Sequence, residues 1–185
     1  MAARGATLDD LRRVDGKAEL VGGEIVRMTP AGGLHSYASR RIAESLGAYE
    51  RQAAYGCAFV DNAGFVVDLP HRRSFSPDAS FYLGNVSQTL LVGAPVFAVE
   101  IRSEEDYGPV SERRMAAKRA DYFAAGTLVV WDVDLKGDVV VRVFRVAEPH
   151  APLVFTRGDL AHAEPAVPGW SMAVDDLFRP SSRLP

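Results

Sequence analysis

The sequence predicts an α/β domain with a central mixed β-sheet flanked by helices. Residues 95–101 (PVFAVEI) are almost continuously apolar, which is typical of a strand covered on both faces. A helical pattern follows over 109–125, and a second apolar run, 127–133 (TLVVWDV), comes directly after it. Strand, helix and strand in this order predict two parallel strands joined by a helical crossover.

Length and composition indicate a globular protein. The 185 residues fit one domain, which we expect to span 19–178, with an N-terminal segment 1–18 and a C-terminal tail 179–185. The chain lacks an apolar run of about 18 residues and an apolar signal-peptide segment, so we expect a cytoplasmic protein without membrane contact. The single cysteine, Cys57, rules out an intrachain disulfide and a CxxC metal site.

Charge limits the ways in which the chain could bind nucleic acid. A net charge of −3 argues against coating nucleic acid by charge alone, because phosphate neutralisation dominates such binding. Any contact must therefore be local. The candidate cationic clusters are Arg40/Arg41, Arg72/Arg73 and Arg113/Arg114/Lys118/Arg119. Each is also compatible with an ordinary solvated surface.

The first half of the chain predicts a hairpin, a helix and three strands. Residues 19–21 and 24–28 flank Gly22-Gly23, which predicts a two-residue β-hairpin. Apolar residues then recur at helical spacing and predict a long amphipathic helix over 34–54. Short strand patterns separated by turn sequences predict a meander of three consecutive strands, 57–60, 65–69 and 74–83.

The second half of the chain continues the sheet. Gly126 follows the helix 109–125 in the manner of a C′ glycine. Residues 139–146 alternate after a Gly-Asp turn and predict an antiparallel strand. The runs 153–155 and 173–174 predict short edge strands.

Glu100 is a carboxylate inside the apolar strand 95–101. A buried ionised group requires a cation, a metal or a set of hydrogen-bond donors, because desolvating it costs several kcal/mol. Strand alternation places Glu100 and Arg102 on the same face, so a structural ion pair between them is one explanation.

Asp78 offers a second explanation. It follows Pro77 and opens the strand pattern 79–83, and proline is tolerated at the first residue of a strand. An aspartate at the start of one strand and Glu100 near the end of a neighbouring strand could converge on a hard cation, which prefers oxygen ligands. Lys118, on the helix that follows the Glu100 strand, completes a set suited to phosphodiester cleavage.

The ordered set resembles the Uma2 family (DUF820) of endonucleases, within the PD-(D/E)XK restriction-endonuclease-like superfamily. The shared order is Pro-Asp, an apolar strand with Glu, and Lys-x-x-x-Tyr-x-x-x-Gly before another apolar strand. The resemblance runs from about residue 19 to 178, and the further segments that carry it are 19–25 (ELVGGEI), His35, 93–95 (GAP) and 168–170 (PGW). It implies a restriction-endonuclease-like fold.

The resemblance also implies a metal-dependent site. Asp78 and Glu100 would hold Mg²⁺ or Mn²⁺, with the backbone carbonyl of Ile101 as a further ligand. Lys118 would orient the attacking water or offset charge on the phosphoryl oxygens. The superfamily usually places a lysine two residues after the glutamate. Here that residue is Arg102, so the resemblance implies that the lysine has migrated to Lys118.

Four residues are expected in accessory roles. Arg102 could clamp a phosphate with its guanidinium fork. Glu24 could act as an outer ligand or hold a water, although an exposed hairpin glutamate is the alternative. His35 could contact the substrate phosphate or hold Glu24. Tyr122 lies one turn beyond Lys118 on the same helix face.

The function implied by the resemblance is hydrolysis of phosphodiester bonds, in DNA, by a homodimeric endonuclease. Two alternatives remain open at the level of sequence. One is a non-catalytic module that binds nucleic acid or another partner with the same fold, which the sequence pI of about 5.8 favours. The other is purely structural, with Asp78 in a turn, Glu100 paired with Arg102 and Lys118 solvated.

Overall fold

The structure, a computed structural model, describes residues 5–178 of the chain, so the expected tail 179–185 lies outside the described residues. The elements in chain order are α1 (Leu8–Arg12), β1 (Ala18–Val21), β2 (Glu24–Arg27), α2 (Gly33–Ala53), β3 (Cys57–Val60), β4 (Phe65–Val66), β5 (Ser74–Phe75), β6 (Ala79–Tyr82), β7 (Leu91–Val92), β8 (Phe97–Ile101), α3 (Pro109–Ala124), β9 (Val129–Val133), β10 (Val141–Arg145), β11 (Glu148–Phe155), β12 (Leu160–His162), β13 (Ser171–Ala173) and a 3-10 turn (Val174–Leu177).

A six-stranded mixed sheet forms the centre, in the order β11-β10-β9-β8-β6-β3. Strands β8 and β9 are parallel, with Glu100 opposite Asp132, and α3 connects them as the sequence predicts. The other neighbours in this sheet are antiparallel. The predicted α/β class with a central mixed sheet is therefore confirmed.

The two faces of the sheet carry different helices. The α2 face buries Ile42 and Leu46 against alternate residues of β8 and β9, among them Phe97 and Trp131. The opposite face packs Tyr122 of α3 into a second apolar cluster. Because side chains alternate along a strand, Glu100 and its even-numbered neighbours on β8 point toward α3.

The predicted meander is wrong. Strand β3 pairs with β6 in the central sheet, whereas β4, β5 and β7 form a separate three-stranded sheet. Asn62 adopts a left-handed conformation (φ 70°) just after β3, and Phe65 then buries its ring in the cluster on the α3 face. The predicted strand 74–83 is likewise interrupted, because Pro77 lacks the N–H that a continuous ladder requires.

Most other elements follow the sequence expectations. Helices α2 and α3 each end one residue earlier than predicted. Strands β1 and β2 form the expected hairpin, in which Gly22 and Gly23 take the positive φ values of a two-residue turn. Strand β10 is antiparallel to β9, as expected. Within residues 5–178, no helix combines the length and the apolarity that crossing a bilayer requires.

Candidate active site

The strands that carry Asp78 and Glu100 are neighbours. Strands β6 and β8 pair antiparallel, with Ala79 opposite Val99. The backbone N–H of Asp78 donates to the carbonyl of Val99 at 2.9 Å. In return, the N–H of Ile101 donates to Oδ2 of Asp78 at 2.7 Å. The backbone of the Glu100 strand therefore fixes the aspartate directly.

Asp78 is buried, with 4% of its surface exposed. Its Oδ1 lies 2.5 Å from Nζ of Lys17, and its Oδ2 lies 3.3 Å from Nε2 of His35. Burial acts to raise the pKa of Asp78, but the His35 hydrogen bond and the charge of Lys17 outweigh it and hold this pKa well below its usual value. Asp78 is thus ionised throughout the physiological range.

Lys17 belongs to the site although it lies in the segment 1–18, before the domain start expected from the sequence. Its Nζ bridges Asp78 and Asp61, at 2.5 Å and 2.7 Å. Burial favours the neutral amine, but the charges of Asp78 and Glu100 raise the pKa of Lys17 above its ordinary value. A lone lysine just before a hairpin looks like a solvated residue in the sequence, so no local pattern marks it.

Glu100 is held by side chains of α3. Nζ of Lys118 lies 2.8 Å from Oε2, and the Tyr122 hydroxyl donates to Oε1 at 2.6 Å. The pKa of Glu100 is raised, first by burial and then by the negative charges of Asp78 and Glu19, which together exceed the opposing effect of Lys118. Glu100 therefore lies in the field of other carboxylates.

Glu19 is the main functional candidate that the sequence pattern did not reveal. It is 3% exposed, and its Oε1 lies 2.9 Å from Nζ of Lys118, which it shares with Glu100. The two carboxylates outweigh burial and raise the pKa of Lys118 well above its usual value. Lys118 accordingly stays protonated.

A buried ionic network supports Glu19. Arg72 contacts Oε2 of Glu19 at 2.5 Å and Oδ2 of Asp121, on α3, at 2.7 Å. His71 Nε2 lies 2.7 Å from the other oxygen of Asp121. The guanidinium also sits over the Phe75 ring, 4.9 Å from its centroid. The network thus ties the first hairpin to α3 behind Lys118.

Two of the expected accessory residues lie outside this cluster. Glu24 is exposed at the start of β2, opposite Val21, and Glu19 occupies the place beside Lys118 instead. Arg102 does not pair with Glu100. Its guanidinium forms a two-pronged contact with Asp132, at 2.8 Å and 2.9 Å, and also contacts Glu112. The alternative of a structural Glu100–Arg102 pair is therefore wrong.

His35 and Tyr122, the other two accessory candidates, lie in the cluster. His35 Nε2 is 3.0 Å from the carbonyl oxygen of Ile101, and because a carbonyl only accepts, Nε2 carries the proton. Burial acts to lower the pKa of His35, but its hydrogen bond to Asp78 and the charge of Asp78 raise it overall. Nδ1 is buried without a partner among residues 5–178. His35 therefore contacts Asp78 and Ile101 rather than Glu24.

The donors suit a hard cation, although they do not form a cage of side chains. Within residues 5–178, no three histidine, cysteine, aspartate or glutamate side chains form a group that could hold a metal ion. The available oxygens are the carboxylates of Asp78 and Glu100 and the carbonyl of Ile101, which match the ligand preference of Mg²⁺. A divalent ion would have to compete with the ammonium groups of Lys17 and Lys118.

Comparison with known proteins identifies the family of the chain. The sequence model of the Uma2 family, described as "Putative restriction endonuclease", matches residues 6–175. The chain belongs to the Uma2 family. The matched range includes Lys17, which the expected domain start at residue 19 left out.

A solved structure has a similar fold. A protein from Anabaena variabilis ATCC 29413, described as a "putative nuclease belonging to DUF820", superposes with a TM-score of 0.73 at 19% identity. The alignment covers 93% of this chain and 97% of that one. A comparison with curated proteins returns no match. The restriction-endonuclease-like fold and the family resemblance expected from the sequence are thus confirmed.

Proposed function

We propose that this Uma2 protein is an endonuclease that hydrolyses phosphodiester bonds in DNA with a divalent metal ion. One observation carries the proposal. Asp78 lies just before β6 and Glu100 lies in the neighbouring strand β8, and they face lysine ammonium groups at 2.5 Å and 2.8 Å respectively. Paired carboxylates with a nearby cation suit phosphoryl transfer, because the negative charge that develops on the phosphoryl oxygens must be stabilised.

In this proposal Asp78, Glu100 and the carbonyl of Ile101 hold Mg²⁺ or Mn²⁺. Such an ion, when bound, polarises the phosphoryl oxygen and lowers the pKa of a water molecule. His35 fixes the Ile101 carbonyl through Nε2. Asp78 supplies permanent negative charge, since its pKa lies well below the usual value.

Lys118 stabilises charge in this scheme. Because its pKa is raised, the lysine is protonated and cannot take a proton from water. Its ammonium group instead offsets the charge that grows on the phosphoryl oxygens during attack. Glu19 and Glu100 each form an ion pair with the ammonium group and so fix its position.

The assembly follows from the same proposal. Cleavage of both strands of a duplex calls for two centres, and a two-fold homodimer would present them symmetrically. Light scattering at high protein concentration checks this expectation. A monomer at every concentration would contradict it.

A second candidate function is a module that binds nucleic acid without cutting it. Lys17 and Lys118 already neutralise the two carboxylates without a metal, which favours this alternative. A gel shift without cleavage, with or without Mg²⁺, would identify such a module.

Cleavage of plasmid and oligonucleotide DNA in Mg²⁺ or Mn²⁺ tests the first proposal. We expect activity in the wild type and its loss in Asp78→Asn and Glu100→Gln. Glu104→Gln is the matched control, because Glu104 follows the same strand but is 90% exposed and pairs with Lys136. Wild-type protein that fails to cut in either metal, or Asp78→Asn protein that cuts normally, would overturn the proposal.

A further inference from the structure

A row of charged residues crosses the sheet beside the site. Glu100 on β8 lies opposite Asp132 on β9, and Asp132 lies opposite Arg142 on β10. Directly opposed residues on neighbouring strands project from the same face, so all three point toward α3. Two strand spacings of about 4.8 Å separate Arg142 from Glu100 across the sheet.

Arg102, Arg119 and Arg142 form an arginine cluster around this row. Arg102 grips Asp132 with two donors, and Nη1 of Arg119 lies 3.4 Å from the same carboxylate. Arg102 also contacts Glu112. The guanidinium of Arg119 stacks on Phe144, 4.0 Å from the ring centroid. Asp132 is thus engaged by the first two arginines.

Arg142 is the member of the cluster with a buried N–H donor that lacks an acceptor. Its Nη1 is buried and has no hydrogen-bond partner among residues 5–178. Three guanidinium groups share the field of Asp132 and Glu112. In keeping with this crowding, burial and the charges of Arg102 and Arg142 lower the pKa of Arg119, against the opposing effect of Asp132. The cluster therefore carries positive charge that its own carboxylates leave uncompensated.

The missing acceptor has a definite chemistry. A guanidinium presents planar donors that match the oxygens of a phosphate, and such charge-assisted contacts are stronger than neutral ones. A buried donor without an acceptor is costly, so an anion that reaches it gains affinity. The position of Arg142, about 10 Å across the sheet from Glu100, suits a nearby phosphate on the same nucleic-acid strand.

We propose that the arginine cluster is a phosphate-binding subsite that holds the nucleic-acid backbone next to the cleavage centre, with Arg142 making the decisive contact. This inference rests on the proposed function in that the strand held here is the one delivered to Asp78 and Glu100. Arg142 is a positioning residue, since it would contact a phosphate that does not react.

Binding of a labelled DNA oligonucleotide without metal tests the subsite, measured over a range of salt concentrations. Arg142→Gln should weaken binding about tenfold at low salt, the scale of one charged hydrogen bond. It should also reduce the slope of log affinity against log salt by about one. Arg142→Lys keeps the charge but not the planar pair of donors, so its affinity for the oligonucleotide should lie between those of the wild type and Arg142→Gln.

Arg145→Gln is the matched control. Arg145 lies on the same strand but opposite Val129 of the α2 face, and it pairs with Glu148. We expect it to bind like the wild type. Thermal melts of each variant separate lost binding from lost folding. Equal losses in both Gln variants, an unchanged salt slope in folded Arg142→Gln protein, or no wild-type binding at low salt would each overturn the inference.

Inorganic phosphate distinguishes a backbone subsite from a site for the free ion. Phosphate should compete with the oligonucleotide in wild-type protein and not in Arg142→Gln protein. Phosphate that stabilises the wild type without displacing the oligonucleotide would overturn a backbone subsite. The outcomes also separate from those of the proposed function. Binding that depends on Arg142 without cleavage in Mg²⁺ would defeat the nuclease proposal alone, and cleavage with Arg142-independent binding would defeat the subsite alone.

Discussion

The two carboxylates of the candidate site lie in contrasting surroundings. Asp78 has a side chain only 6% exposed and accepts a backbone N–H in addition to its contacts with Lys17 and His35. Glu100 is 23% exposed and is held by the side chains of Lys118 and Tyr122. The pKa of Asp78 is lowered, because its contacts with His35 and Lys17 outweigh the effect of burial. The pKa of Glu100 is raised by burial and by neighbouring negative charges. The Asp78 side is therefore a fixed anion, whereas the Glu100 side depends on the cations around it.

The difference follows from position along the strands. Asp78 lies just before β6, where its side chain reaches the N–H of Ile101. Glu100 lies inside β8, whose backbone groups are used by the sheet ladder on both sides. Its partners must therefore come from α3, which the Glu19–Arg72–Asp121 network holds in place.

The largest expected effect breaks the support of the Glu100 side. Arg72→Met should destabilise the protein by about 3–5 kcal/mol, because it leaves Glu19 and Asp121 as buried charges without their shared partner. Urea unfolding measures the change. Arg73→Met is the control, since Arg73 is about half exposed and its contact with the exposed Asp68, at 3.6 Å, is a surface ion pair. It should change stability by less than about 0.5 kcal/mol. Similar losses in both variants would show that the network contributes nothing specific.

The next effect removes the cation from the Glu100 side. Lys118→Met should reduce the cleavage rate about 10²- to 10³-fold, as loss of one charge-stabilising donor does elsewhere. Its response to metal should persist, because Asp78 and Glu100 remain. Lys136→Met, which removes a lysine that is 60% exposed, should cut at the normal rate. Normal cleavage by folded Lys118→Met protein would disprove the role assigned to this lysine.

A smaller effect concerns pH on the Asp78 side. The pKa of His35 is raised in the folded protein, so its stabilising contact is fully present below the unfolded value of about 6.5 and is lost as pH rises through the folded value. The stability difference between wild type and His35→Gln should therefore shrink between pH 6 and pH 9. Urea unfolding at several pH values measures it. A difference that grows with pH would contradict the assigned contact with Asp78.

The smallest effect adjusts Glu100 itself. Tyr122→Phe removes the hydroxyl that donates to Glu100 but keeps the ring that stacks on Phe75, at 4.0 Å between centroids. Because that donor favours the ionised carboxylate, its loss should raise the pKa of Glu100 further and move the pH–rate profile to higher pH. Tyr107→Phe removes a similar hydroxyl contact, to Asp134, and should leave the profile unchanged. A profile that moves to lower pH in Tyr122→Phe would contradict the account.

The sequence predicts the part of this site that follows chain order and strand pattern. Glu100 stands out because a carboxylate interrupts an apolar strand, and Asp78 because it follows a proline at the start of the strand pattern 79–83. Lys118 lies on the helix between two parallel strands, so its proximity to Glu100 follows from the crossover. These three residues converge through local pattern and simple topology.

The remaining residues depend on contacts that no local pattern reveals. Glu19 alternates along a hairpin like a solvated residue, and its burial results from Arg72 and α3 covering it. The sequence alone does not show which arginine, if any, pairs with the glutamate of a Glu-Leu-Val strand. From the sequence, Arg102 could either clamp a phosphate or pair with Glu100 on its own strand, but the adjacent strand supplies Asp132 in register and accepts from two of its nitrogens. Such choices are made by tertiary packing.

The measurement that tests the central claim most directly is a thermal-melt titration with Mg²⁺. If Asp78 and Glu100 share one divalent ion, binding to the folded protein stabilises it, by about 2.7 kcal/mol when the ion reaches one hundred times its Kd. We expect the melting temperature of the wild type and of Glu104→Gln to rise, and that of Asp78→Asn and Glu100→Gln to stay unchanged. A wild-type melting temperature that does not move at millimolar Mg²⁺ or Mn²⁺, or that moves equally in all four proteins, would contradict a shared metal site.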